Sequence, residues 1–179
     1  MSTTRLKIEL LCNGAHVDGQ VDRGRRSGAG PAGGNYFLLP DGTCVEIPLQ
    51  GRFIQDSPFT ISAKGGKWCL LKDSKRLFQL EPIPKPRFYE KTTSDGIAMN
   101  KIAIMDGKDC LASTIYSECA HWRNGKQCRF CAIELGPNDR LRRKQPKQLA
   151  EVVEEAFTEG VAKHVTLTTG TPLKKNRGV

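Results

Sequence analysis

The sequence predicts an α/β chain whose N-terminal part is rich in β-strands. Three observations support this prediction. Short apolar runs separated by turn-forming residues continue to about residue 108. One amphipathic helical stripe lies within residues 146–159, and a run rich in β-branched residues follows it at 161–170. We therefore expect a β-rich first domain over residues 1–108 and an α/β second domain over residues 109–179.

The predicted strands of the first domain are short. Residues 5–11 alternate apolar and polar side chains, as in a half-buried strand. Proline, glycine, aspartate and serine form turn signals, and the apolar runs beside these turns predict further strands at 36–39, 43–47, 59–62 and 67–71. Pro82, Pro84 and Pro86 predict an extended connector, because proline fixes φ and is excluded from helix interiors.

The second domain is predicted to contain a strand, a loop, a helix and a second strand. A strand is expected at 110–115, and it follows another expected at 101–105, at the end of the first domain. The helix should begin near Pro146 and end before Gly160, and its apolar stripe comprises Leu149, Val152, Val153, Ala156 and Phe157. The strand at 161–170 completes a βαβ unit, which predicts parallel strands with ligands at their carboxyl ends.

Three cysteines between the strand at 110–115 and the helix form the candidate site. Cys119, Cys128 and Cys131 lie within thirteen residues, and the last two are spaced as Cys-x-x-Cys. Soft thiolates bind zinc, copper(I) or iron–sulfur clusters, and the Asn124-Gly125 turn would let the intervening segment loop out. A structural zinc site usually has four ligands, whereas three cysteines leave one iron of a cluster open. His121 could supply a fourth zinc ligand, so both metals remain candidates.

The cysteine segment resembles the cluster loop of radical S-adenosylmethionine (SAM) enzymes. Its spacing, Cys-x8-Cys-x2-Cys, has a longer first gap than the usual Cys-x3-Cys-x2-Cys. The run Cys-Ala-His-Trp-Arg, the run Cys-Arg-Phe-Cys-Ala-Ile-Glu and the later Thr-Thr-Gly-Thr-Pro are more closely similar to one branch of that superfamily. This branch is an uncharacterised family encoded in nitrilase-containing bacterial gene clusters.

The resemblance implies a site and a fold. Cys119, Cys128 and Cys131 would bind three irons of a 4Fe-4S cluster, and the fourth iron would take the amino and carboxylate groups of SAM. Phe130 would lie near the adenine, and Thr168, Thr169 and Gly170 would contact the SAM amino group, although the usual Gly-Gly-Glu is absent. The implied fold is the start of a partial (βα) barrel, incomplete here because only 69 residues follow Cys110, so a truncated chain is expected.

The same resemblance implies an enzyme that acts on an unidentified small molecule. Reductive cleavage of SAM would start radical chemistry on that substrate. A reductase or a flavodoxin-type protein would supply the electron. The substrate, the outcome of the reaction and the fate of SAM do not follow from the residues.

The alternative is a zinc-binding module without catalytic activity. Its ligands would be Cys119, His121, Cys128 and Cys131, and neighbouring arginines would contact RNA or DNA. The net charge of +9 and the basic runs at 140–144 and 174–175 are compatible with nucleic acid. No stretch rich in stacking aromatics accompanies these runs, so nucleic acid is the less favoured partner.

Two further expectations concern a glycine motif and the cellular location. Gly28-Ala-Gly-Pro-Ala-Gly33 matches the dinucleotide fingerprint as a string, but no helix start follows, so we predict a flexible glycine loop. No apolar run is long enough to cross a membrane, and no signal peptide is evident. Seven cysteines, an odd number, favour a reducing compartment and predict a cytoplasmic protein.

Overall fold

A computed structural model describes residues 2–19, 33–64, 66–131, 133–134 and 141–172. The chain forms two compact units, Met1–Lys85 and Pro86–Val179. This division falls earlier than the boundary predicted at residues 108 and 109. Phe88 and Tyr89, which precede that boundary, are buried in the hydrophobic core of the second unit.

In its described residues, the first unit combines one α-helix and a short 3₁₀ helix (Arg52–Ile54) with a six-stranded sheet. Its elements are helix α1 (Thr3–Asn13) and strands β1 (His16–Asp18), β2 (Asn35–Leu38), β3 (Cys44–Ile47), β4 (Phe59–Lys64), β5 (Lys67–Lys72) and β6 (Lys75–Pro82). The strand order is β1-β4-β5-β6-β2-β3, and all neighbours are antiparallel except β1 and β4, which are parallel. The prediction that the N-terminal part is rich in strands is confirmed.

Helix α1 corrects one predicted strand. Residues 5–11 alternate in polarity, but they are helical because Leu6 and Leu10, four residues apart, share the buried face. Ile8, the remaining apolar residue of the alternation, is 56% exposed. The Ser2 side chain accepts a hydrogen bond from the backbone N–H of Arg5 and so caps the helix. The cap and the four-residue spacing therefore determine the local structure.

The core of the first unit is formed by apolar residues of helix α1 and of the sheet. Fully buried members include Leu10, Phe37, Ile47, Phe59 and Ile61. The sequence does not predict strand β6, in which Leu80 is the only buried residue. It begins after a turn in which Asp73 and Ser74 both have positive φ.

Where the structure describes it, the second unit contains a three-stranded sheet, one long α-helix, two short α-helices and a 3₁₀ helix (Arg87–Glu90). Its elements are α2 (Met99–Ile102), β7 (Ile104–Asp106), β8 (Cys110–Thr114), α3 (Ala120–Arg123), α4 (Pro146–Thr158) and β9 (His164–Thr168). The sheet order is β7-β8-β9. Strands β8 and β9 are parallel, with Leu111 beside Val165, and α4 lies between them in the chain. The predicted helix and the strands on either side of it are confirmed at these positions.

The predicted start of a (βα) barrel is wrong. Strand β7 pairs with β8 in the antiparallel direction, with Met105 opposite Leu111. A short turn at 107–109 folds β7 directly back onto β8, so this edge of β8 is occupied by a hairpin partner and not by a strand of another βα repeat. The chain is mixed α/β and strand-rich, with a six-stranded and a three-stranded sheet.

Helix α4 is held over the second unit by its apolar face and by its carboxylates. Val152 and Ala156 are fully buried in the core. The Glu159 carboxylate accepts hydrogen bonds from the backbone N–H groups of Arg87 and Phe88, at 2.7 and 2.9 Å. Glu151 accepts from the Ser94 N–H and hydroxyl, at 2.7 and 2.6 Å. These contacts fix the segment before β7 against the helix that follows the cysteine loop.

Candidate metal centre at the cysteine loop

The cysteine loop, residues 115–134, leaves the carboxyl end of β8 and runs beside the chain that leaves β9. Ile115 N–H donates to the carbonyl of Thr168 at 2.8 Å. Gly170 N–H donates to the Tyr116 carbonyl, and Ala120 N–H donates to the Thr171 carbonyl, each at 2.8 Å. The pairing of the parallel strands thus extends beyond the sheet. It places Thr168, Thr169 and Gly170 next to the segment that leads into Cys119.

Gly170 is buried at the closest approach between the two segments. A Cβ atom at this position would lie 2.0 Å from the Glu118 carbonyl oxygen and 2.8 Å from the Glu118 carbonyl carbon. Both are backbone atoms, so a side chain could be accommodated only by moving the loop. Glycine is therefore required here by a backbone contact, which gives a physical reason for a glycine where the sequence predicts the end of this strand.

Cys119 is held in place on both sides by backbone hydrogen bonds. Its N–H donates to the Glu134 carboxylate at 2.9 Å, and the next residue is bonded to Thr171. Burial raises the pKa of the Cys119 thiol, but hydrogen bonds from the backbone N–H groups of Thr171, His121 and Trp122, and from the Thr171 hydroxyl, lower it below the ordinary value of a thiol. The thiolate is the form that binds metals, so this environment favours ligation.

Trp122 connects the first cysteine to the last. Its backbone N–H donates to the Cys119 carbonyl at 3.0 Å, and its indole Nε1 lies 3.5 Å from the Sγ of Cys131. The Cys131 N–H donates to the Cys128 carbonyl at 3.0 Å, which closes the Cys-x-x-Cys turn. Gly125, at the predicted turn, has a φ of 65° and reverses the chain between the two halves of the loop.

The predicted ligands differ in exposure. Cys128 is exposed, and Cys119 and Cys131 are half-buried; all three thiols are free. Phe130, between the last two cysteines, is 91% exposed. At the end of β9, the Thr168 hydroxyl lies 3.0 Å from that of Thr114, and the Thr169 hydroxyl donates to the Gly170 carbonyl at 2.9 Å.

Chemically, the three thiols suit iron–sulfur ligation, because soft sulfur donors occur together on one exposed loop. Within the described residues, however, no three His, Cys, Asp or Glu side chains are grouped closely enough to hold a metal ion. Binding at all three sulfurs therefore requires the three cysteines to come closer together than they are here. The same applies to the zinc alternative, for which His121 is exposed on α3.

Sequence reasoning missed a carboxylate that joins the first half of the loop to the segment that leads into α4. Glu118 accepts hydrogen bonds from Arg142 at 2.7 Å, from Arg123 at 3.3 Å and from the Tyr116 hydroxyl at 2.9 Å. The Tyr116 hydrogen bond and the two positive charges lower the pKa of Glu118, although burial opposes them. The signal in the sequence was the position of Glu118 directly before Cys119, together with the basic run at 140–144.

Comparison of the chain with known protein families, curated proteins and solved structures finds no match. Where the structure describes the chain, no helix has the length and apolar character needed to cross a membrane. The dinucleotide-like string at 28–33 lies almost entirely outside the described residues, as do Arg140 and the basic pair at 174–175.

Proposed function

We propose that this protein binds a 4Fe-4S cluster through Cys119, Cys128 and Cys131 and uses it with SAM for radical chemistry on a small molecule. The observation that carries the proposal is the position of the cysteine loop. Three free thiols follow the end of one strand of a parallel pair, and Gly170 at the end of the other strand contacts the base of the loop. When bound, the cluster would supply the electron that cleaves the sulfonium bond of SAM.

Cys119 is the first ligand in this proposal. Four hydrogen bonds lower the pKa of its thiol, so less free energy is needed to deprotonate it when a metal binds. Glu134 and Thr171 fix its backbone from opposite sides. In the proposal these residues act as positioning residues, because their hydrogen bonds hold the backbone of the ligand Cys119.

Cys128 and Cys131 complete the ligand set from the Cys-x-x-Cys turn. The Trp122 indole N–H already lies against the Cys131 sulfur, and hydrogen bonds to cluster sulfurs are one means by which proteins adjust reduction potentials. We therefore assign Trp122 a role in orienting Cys131 and in tuning the cluster.

The remaining assignments concern SAM. The Phe130 ring, which is almost fully exposed, is available to stack on the adenine. Thr168, Thr169 and Gly170 border the base of the loop, where their oxygen atoms are suitable acceptors for the SAM amino group. A one-electron donor, either a reductase or a flavodoxin-type protein, is required by this chemistry.

The test is anaerobic reconstitution with iron and sulfide. We expect a brown protein with about four irons per chain, whose reduced spectrum changes when SAM is added and which forms 5′-deoxyadenosine in the presence of dithionite. Replacing Cys119, Cys128 or Cys131 by alanine should abolish these properties. Cys110→Ala is the matched control, since Cys110 is also a half-buried free thiol but lies in β8.

Two results would contradict the proposal. One is a colourless protein that binds one zinc ion per chain, with loss of zinc in the His121→Ala variant; this outcome supports the zinc module. The other is a cluster that is lost in the Cys110→Ala control and retained when Cys119 is replaced, since the ligands would then lie elsewhere.

A further inference from the structure

Strand β9 forms one edge of the three-stranded sheet, and all five of its residues are exposed. It pairs with β8 in an unbroken register. Val165 and Leu167 lie beside the buried residues Leu111 and Ser113, so they point to the face of the sheet that carries the core. They are nevertheless 39% and 52% exposed. The apolar side of this edge is therefore open in the part of the chain that the structure describes.

The backbone of β9 also offers hydrogen-bonding groups at this edge. His164 N–H donates to the carbonyl of the residue before β8 at 3.2 Å, and the Thr168 carbonyl accepts from Ile115 N–H at 2.8 Å. The even-numbered residues of β9 therefore bond toward β8. Val165 and Leu167, which alternate with them, direct their N–H and C=O groups away from β8. Within the described residues, no other strand pairs with these groups.

The other described sheet edges carry charges that β9 lacks. The edge strands β1, β3 and β7 contain Asp18, Glu46 and Asp106, respectively. A carboxylate on an edge strand disfavours pairing with a second copy of the same strand, because like charges then come together. Strand β9 contains no acidic residue, lysine, arginine or proline, and with five residues it is longer than these three edges. Of the described edges, it is the one best suited to pairing.

We propose that β9 pairs in the antiparallel direction with β9 of a second copy of this chain, about a two-fold axis at Thr166. In this register Val165 of one copy lies opposite Leu167 of the other. These are the residues whose N–H and C=O groups point outward, so each of the two symmetric pairs exchanges two backbone hydrogen bonds. The same pairs bring the exposed apolar side chains together. On the other face, Thr166 meets Thr166, and His164 lies opposite Thr168.

A second copy fits this edge better than an unrelated peptide does. Any extended peptide could bond to the outward N–H and C=O groups. The side chains of β9, however, are arranged symmetrically about Thr166, with apolar residues on one face and polar residues on the other. Two copies therefore match on both faces. Each copy uses its edge once, so the assembly closes as a dimer. One short strand from each copy forms a small contact, and small contacts are typical of weak, reversible association.

Sedimentation-velocity ultracentrifugation of the cluster-free chain, with a reducing agent that prevents disulfides between copies, measures this association. Between about 5 and 300 µM we expect a shift from monomer to dimer, since contacts of this size are weak. Leu167→Pro removes an outward N–H and leaves the bonds to β8 in place, because an edge strand tolerates proline at such a position. The dissociation constant should rise at least about tenfold, since the symmetric dimer loses two hydrogen bonds.

Residue 166 tests the register. Thr166→Lys and Thr166→Glu each place two like charges opposite one another at the two-fold axis, so either variant alone should dimerise at least about threefold more weakly. An equimolar mixture of the two should associate again, because lysine then faces glutamate. This pair of variants keeps the test decisive if Leu167→Pro does not fold. Leu77→Lys is the control: it adds the same charge at an exposed apolar position of β6, which has a strand on each side, and should leave dimerisation unchanged.

Four results would overturn the inference. The chain could stay monomeric at the highest concentration, or it could associate equally well with and without the Thr166 substitutions. The mixture of the two Thr166 variants could associate no better than either alone. Assembly that continues past the dimer would also count against pairing of β9 with itself, since that contact closes. None of these results bears on the proposed function, because the measurement needs no cluster and alters no cysteine.

Discussion

Replacing Gly170 by alanine should destabilise the second unit and displace the cysteine loop. The new Cβ would lie 2.0 Å from the Glu118 carbonyl oxygen, and contacts below 3.0 Å essentially do not occur. The two backbone segments would have to separate by about 1 Å. Gly170 is not among the residues with positive φ, so the cost arises from this contact and not from backbone strain.

The magnitude follows from the groups that the shift disturbs. Overpacking against a rigid neighbour costs about 1–3 kcal/mol. The hydrogen bonds from Gly170 N–H to Tyr116 and from Ala120 N–H to Thr171 would stretch as well, at about 1 kcal/mol each. We expect a loss of about 3–5 kcal/mol in the free energy of unfolding of this unit, which corresponds to at least about 12 °C in its Tm.

Urea unfolding followed by tryptophan fluorescence can isolate this unit. The chain has two tryptophans, Trp68 in the first unit and Trp122 in the second, so a Trp68→Phe background reports on Trp122 alone. Gly107→Ala is the control: Gly107 has a φ of 65° and open space around its Cβ position, so the variant should cost about 1–2 kcal/mol. A Gly170→Ala cost no larger than that of the control would refute the contact argument.

Three further predictions concern Glu159, Glu118 and Cys119. Glu159→Ala should cost about 2–3 kcal/mol in urea unfolding, because two backbone N–H groups lose a charged acceptor, whereas Glu154→Ala, at an exposed position of α4, should cost less than about 0.5 kcal/mol. The pKa of Glu118 is lowered in the folded state, so its contribution to stability is present above the pKa of the unfolded chain and is lost as pH falls through the folded pKa. In acid titrations followed by circular dichroism, the stability of the Glu118→Gln variant should therefore decline less than that of the unmodified protein below about pH 4.3. An equal decline in the two proteins would count against this role. Alkylation of Cys119 by iodoacetamide, followed by peptide mass mapping, should have a midpoint at lower pH than alkylation of glutathione; an equal or higher midpoint would contradict the lowered thiol pKa.

Local patterns predicted the elements of the second unit more successfully than its architecture. The apolar stripe of α4 and the β-branched residues of β9 specify their own secondary structure, and both elements occur where the sequence placed them. The antiparallel pairing of β7 with β8 depends on a turn between them, and nothing in the periodicity of either strand indicates direction. The predicted barrel start failed for this reason.

The candidate site shows the same division. The spacing of Cys119, Cys128 and Cys131 identifies three soft donors, and this much is visible in the sequence. The contact of Gly170 with Glu118 joins residues 52 positions apart, so it becomes evident only when β8 and β9 are paired. In α1, the polarity of residues 5–11 fits both a strand and a helix, and the Ser2 cap together with the burial of Leu6 and Leu10 on one face decides for the helix.

On the proposed function, the hydrogen bonds around Cys119 bear on how the site would be assembled. The backbone of Cys119 is bonded to Glu134, and the next residue is bonded to Thr171, whereas Cys128 and Cys131 belong to a small turn joined to Cys119 through Trp122. Binding of a cluster at all three sulfurs would bring this turn and Cys119 closer together. Assembly of the cluster would then change the position of this short turn and leave the β7-β8-β9 sheet in place.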